Sequence, residues 1–224
     1  MAKKIYINVG HSDKDPGAVG YETERELNVK VANYQREHLL ANYECEVRMN
    51  PGTMNSTREV AADANAWGAD LMDSKHFNAG GGDGWEGLVY SNKNVAMGKI
   101  FEKHILAAGQ NSRGVKLRPD LNILALTNMP AIINEGAFVD NLKDIQDWNE
   151  DHELKKLGIA YAEADAEFLD LPKKTTAPAP AAPTTSGVLY RVQVGAYGVK
   201  DNAEAMQKKL KTAGYDAIIV EVKK

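Results

Sequence analysis

Apolar positions recur along this chain with two different periods. Ile5, Ile7 and Val9 alternate with polar neighbours and predict a strand that ends at Gly10. Residues 23–26 have the pattern of a capping box, and Leu27, Val31 and Tyr34 follow at helical spacing. Residues 56–59 form a second such box ahead of Val60, Ala64 and Trp67. Residues 70–75 predict a strand, the least apolar of the set because Asp73 and Lys75 interrupt it. Residues 80–84 predict a glycine-rich turn and residues 88–90 a short strand. Met97, Phe101 and Ala108 mark a helix, and residues 131–133, after Pro130, a buried strand. Leu154, Leu157, Tyr161, Ala164 and Phe168 form a long helical stripe. Strands alternating with helices predict an α/β domain with a mostly parallel sheet flanked by helices.

The pattern breaks near Leu171. Residues 172–187 hold Pro, Ala, Thr, Ser, Gly and two lysines, with nothing that buries enough apolar area to offset chain entropy, so they predict a semi-extended linker. The chain therefore divides into a domain at 1–171, the linker at 172–187 and a small module at 188–224. In the module, residues 190–194 alternate like a strand, Ala203, Met206, Leu210 and Ala213 form a helical stripe, and residues 217–220 read as a second strand. That is one βαβ unit, which is short for a free-standing core.

Composition narrows the function classes. The 224 residues carry a net charge of -4 and a pI near 5.8, which leaves no basic footprint for nucleic acid. Cys45 is the single cysteine, so intramolecular disulfides and cysteine-built zinc clusters are excluded; it is read as a structural or surface thiol. No apolar run has the length of a membrane span, and the N-terminal residues contain no apolar signal-peptide core, which predicts a cytoplasmic product.

In open α/β sheets, ligands gather beyond the carboxyl ends of strands. His11 follows the first predicted strand, His76 the second, and Glu135 the strand after Pro130, while Glu24 opens the helix behind the first loop. Two imidazoles and a carboxylate leave one tetrahedral position open, the pattern of catalytic rather than structural zinc, and a second carboxylate alongside supplies proton transfer. The positions are dispersed in sequence. Taken singly, each has a bland reading too, such as a helix-dipole acid at Glu24.

Ordered blocks add to this. His11 with Asp15-Pro16-Gly17-Ala18, Glu24-Arg25-Glu26-Leu27-Asn28, Ser74-Lys75-His76-Phe77-Asn78, Arg113-Gly114-Val115-Lys116 and Ile133-Asn134-Glu135-Gly136 resemble the N-acetylmuramoyl-L-alanine amidase type 3 family over roughly residues 3–171. Ser12 and Asp13 stand where that family has glycines. The resemblance implies a zinc enzyme that hydrolyses the amide between N-acetylmuramic acid and L-alanine of peptidoglycan, with His11, Glu24 and His76 as Zn²⁺ ligands and Glu135 as the catalytic carboxylate. It implies peptidoglycan, glycan strand and stem peptide, as the partner. A phage endolysin released through a membrane lesion is the expected role; a mother-cell autolysin or a non-catalytic wall-binding adaptor are the alternatives. Residues 190–197, with Ala203, Glu204 and Leu210, resemble the first half of a SPOR repeat, which implies glycan binding. A half repeat predicts that two chains pair through residues 188–224. His38, His104 and His152 match no motif. Trp67 and Trp148 are expected in the core; Trp85 and Tyr90 are read as core or as the wall of a glycan groove.

Overall fold

The computed structural model describes residues 2–54, 56–175, 193–212 and 217–221. They fall into two units, residues 1–175 and 176–224.

The first unit is built on a six-stranded sheet in the order β2-β1-β3-β6-β4-β5. Strands β1 (Lys3–Val9), β2 (Cys45–Met49), β3 (Leu71–Asn78) and β6 (Ala131–Phe138) run parallel, while β4 (Trp85–Val89) lies antiparallel to β6 and pairs in parallel with β5 (Ser112–Leu117). Side chains alternate between the two faces of each strand. On one face Leu71, Phe77, Trp85 and Ile132 pack under α1 (Glu24–Asn42), α3 (Val95–Ala108) and α6 (Asp151–Leu169). Ile5 and Ile7 extend that layer beneath α1 and α6. On the other face Tyr6, Met72 and Ile133 pack against α2 (Thr57–Trp67) and the short α4 (Asn122–Ala125). A second short helix, α5 (Leu142–Ile145), follows β6.

Several elements differ from the sequence pattern. The strands β2 and β5 lie at the two edges of the sheet and mix charged with apolar residues, so neither carries a buried run. Strands β3 and β6 extend past the apolar stretches, which places His76 and Glu135 inside paired strands rather than beyond their ends. Thr23 precedes α1 without a side-chain cap; its carbonyl receives the Glu26 and Leu27 N–H groups instead. Ser56 does cap α2, accepting from the Glu59 N–H at 3.2 Å.

In the second unit, α7 (Lys200–Thr212) is the helix of the predicted βαβ unit. The described residues flanking it, 193–199 and 217–221, form no strand. A strand needs a hydrogen-bonded neighbour, and the described residues of this unit supply none. The core of the expected linker lies outside the described residues.

Candidate metal centre and active site

The end of β1, the start of α1 and the end of β3 converge through His11, Glu24 and His76. His11 lies just beyond β1 with φ 65°, a left-handed conformation uncommon outside glycine that points to a functional constraint. Its Nδ1 bonds Asp15 Oδ2 at 2.8 Å, which leaves Nε2 directed at Glu24 Oε2, 3.0 Å away. His76 Nδ1 stands 2.8 Å from Glu24 Oε1. Donor atoms of the three residues all lie within 4.8 Å of one another. Gly17, at φ 70°, lets the loop pass so close that a Cβ there would meet the His11 ring and the Glu24 carboxylate at about 2.5 Å. The loop that departs from the family's glycines is held by other means. Ser12 and Asp15 exchange backbone hydrogen bonds, and Asp13 pairs with Arg25 at 3.3 Å.

Electrostatics agrees with a dense polar centre. Glu24 is 4% exposed; burial opposes its ionisation, but hydrogen bonds from His11, His76 and the Ala18 N–H hold its carboxyl well below the usual range. Hydrogen bonding to Glu24 and then Asp15 raises His11 to about 9 against the effect of its own burial. In this form Glu24 accepts from both imidazoles. Two nitrogens and a carboxylate oxygen converging in this way are donors that suit Zn²⁺.

Glu135 sits on β6 as the register partner of His76. Burial pushes its carboxyl up to about 7, and no hydrogen bond engages it among the described residues. A carboxyl poised near neutrality is suited to both taking and giving a proton. On the adjacent strand, Glu86 is the register partner of Glu135.

The opposite face of β3 answers why a lysine precedes His76. Lys75 is 1% exposed, ion-paired with Asp73 and set 4.2 Å above the Tyr161 ring. Asp73 also accepts from Gln35 Nε2 (2.6 Å) and Asn134 Nδ2 (2.7 Å), and Trp85 Nε1 donates to Asn134 Oδ1 at 3.0 Å. The strand is therefore buried in spite of its charges.

The structure thus brings together all four sequence-predicted site residues. Asp15 and Arg113 lie in the quoted blocks and Glu86 outside them, yet the spacing gave no role to any of the three; contacts do. His38, His104 and His152 are spent on Glu163, Glu167 and Glu153 at 2.7–2.8 Å. Burial pushes the Cys45 thiol up to about 11, away from nucleophile chemistry. Trp85 and Trp148 are core, Trp67 is partly buried beneath Lys4 and Arg48, and Tyr90 is exposed.

Comparison with known proteins follows the same lines. The sequence profile described as N-acetylmuramoyl-L-alanine amidase matches residues 5–165, and the profile described as SPOR domain matches residues 160–224. A sporulation-specific N-acetylmuramoyl-L-alanine amidase of Bacillus subtilis is 30% identical over 97% of this chain and 84% of its own. An endolysin of Bacillus phage SPP1 is 32% identical over 80% of this chain and 71% of its own. The solved catalytic domain of CwlV, an N-acetylmuramoyl-L-alanine amidase from Bacillus (Paenibacillus) polymyxa var. colistinus, superposes with a TM-score of 0.71. It covers 76% of this chain and 99% of that one at 24% identity, a likeness of fold.

Proposed function

The chain belongs to the N-acetylmuramoyl-L-alanine amidase family, and from that membership we propose that His11, Glu24 and His76 hold one zinc ion and that Glu135 moves the proton of the reaction. The reaction is hydrolysis of the amide between N-acetylmuramic acid and L-alanine in the peptidoglycan of the cell wall. The observation that carries the proposal is the convergence of two imidazole nitrogens and a carboxylate within 4.8 Å, one strand away from a carboxyl raised to about 7.

Zinc in such a set acts as a Lewis acid on the carbonyl and makes water a nucleophile near neutral pH. The rest belongs to the chain. Asp15 holds His11 with Nε2 inward, as carboxylates do behind ligating histidines. Glu24 is fixed by the Ala18 and Phe77 N–H groups at 2.8 and 3.2 Å. Glu135 takes the proton of the attacking water and returns it to the departing L-alanine nitrogen. Removing one ligand tests the centre: His76→Ala is expected to lose zinc and to release no new L-alanine amino termini from purified walls. Zinc retained at one per chain in that variant overturns the ligand set.

The biological role is that of an endolysin, supported by the 32% identical phage relative. A sporulation autolysin is the second reading, favoured because that relative aligns over 97% of the chain, the C-terminal module included. Gene neighbourhood separates the two. We also propose that residues 188–224 bind glycan and pair two chains, so that each half repeat completes its sheet on the other. Sedimentation of the full chain beside one ending at Thr175 tests the pairing: a monomeric full chain contradicts it.

A further inference from the structure

The face bearing Glu135 continues across β4 and β5, and an irregularity there is aimed at the site. Trp85 pairs with Ser112 and Gly87 with Val115, so Glu86 alone faces Arg113 and Gly114 together. This is a β-bulge, with Gly114 at φ 87°. Its consequence is a matter of parity. Residues three apart on a regular strand point to opposite faces. Here Arg113 and Lys116 both reach Oε1 of Glu86.

The Glu86 carboxylate is buried and stays ionised; burial opposes this, but Lys116 and Arg113 hold its carboxyl below the usual range. Arg113 is fixed a second time by stacking 5.1 Å from the Phe138 ring. Only its Nε is engaged by Glu86. The two Nη groups make no hydrogen bond among the described residues, and the side chain is 41% exposed. Two half-exposed cations against one buried anion leave a net positive charge on a guanidinium whose orientation is already set. A pre-set fork of Nη donors is the geometry that reads a carboxylate.

Distance narrows the choice of carboxylate. His76, Glu135 and Glu86 lie in register on three adjacent strands. At ~4.8 Å per strand, Glu86 is roughly 10 Å across the sheet from the His76 position. An extended peptide advances ~3.3 Å per residue, so the cations meet a group two or three residues beyond the cleaved bond. On the other side of β3, α2 covers Tyr6 and Met72. The second residue of the stem peptide is a D-glutamyl linked through its side chain, and its pendant α-carboxyl is free in some walls and amidated in others.

We propose that Arg113, with Lys116 beside it and Glu86 as the positioning residue beneath, forms a subsite for the free pendant carboxylate of the stem peptide. The subsite makes the enzyme selective for non-amidated peptidoglycan. This rests on the amidase reading of the site. The test uses the zinc-loaded full chain and two soluble muramyl peptides that differ only in whether that carboxyl is free or amidated. The native chain is expected to favour the free acid by about tenfold in kcat/KM, mainly through KM. In Arg113→Gln the ratio falls to near one, and in Arg113→Lys it is partly restored. Equal rates on both peptides for the native chain overturn the subsite and leave the amidase reading intact. Arg113→Gln lowering both rates with the ratio unchanged also overturns it, since that is a structural effect. Cleavage of neither peptide by the native chain removes the amidase reading and the subsite with it.

Discussion

Lys75 shows how much a single side chain next to the site contributes on the other side of a strand. It is fully enclosed, and Asp73 is its counter-charge. Lys75→Ala leaves Asp73 buried and unpaired, so the expected loss is about 3–5 kcal/mol in chemical denaturation. Asp165, also in this cluster, behaves differently. Burial, then the neighbouring Asp73, raises its carboxyl well above the usual range, so it is protonated in the fold. Such an acid costs nothing below the unfolded value of about 4, and its penalty grows as pH rises and the unfolded chain ionises. The Tm of Asp165→Asn relative to the native chain is therefore expected to climb from about pH 4 upward; a difference flat with pH contradicts the protonated carboxyl. At this scale the sequence was legible for His11, Glu24, His76 and Glu135 as candidates, because each sits in a recognisable block. Their surroundings were not. Lys75 meets Asp73 on its own strand and Tyr161 on α6, and Asp73 and Asp165 are held in turn by Gln35 of α1 and Asn134 of β6, which no local pattern connects.

Elements with one clean apolar stripe were readable: α2, α3 and α6 all lie where helical spacing places them. The edge strands β2 and β5 were not, since a strand with solvent on its flank needs no alternation to be stable. The bulge in β5 was invisible for a related reason. Arg113 and Lys116 are three apart, a spacing that in a regular strand assigns them to different faces. Capping was read correctly at α2 and wrongly at α1, where Thr23 contributes its carbonyl and Glu24 turns its side chain to the imidazoles. Ser56→Ala is accordingly expected to cost about 1 kcal/mol, read as a fall in denaturation midpoint, while Thr23→Ala costs clearly less. Equal losses contradict the difference in cap geometry.

For the whole molecule, the mostly parallel sheet matters because β1, β3 and β6 lie side by side in it and run in one direction, so their ends come together. No helix among the described residues is long and apolar enough to cross a membrane. With catalysis proposed for residues 1–171 and wall binding proposed for 188–224, a chain ending at Thr175 is expected to cut soluble muramyl peptides at the native rate and to lose most of its binding to purified sacculi. Unchanged sacculus binding contradicts that division. The central claim is that three residues hold the metal and a fourth moves the proton. Its most direct test is zinc content and amide hydrolysis measured together on Glu135→Gln. The account predicts one zinc per chain and a rate lower by at least ~10²; zinc lost with Glu135, or a rate near native with zinc in place, contradicts it.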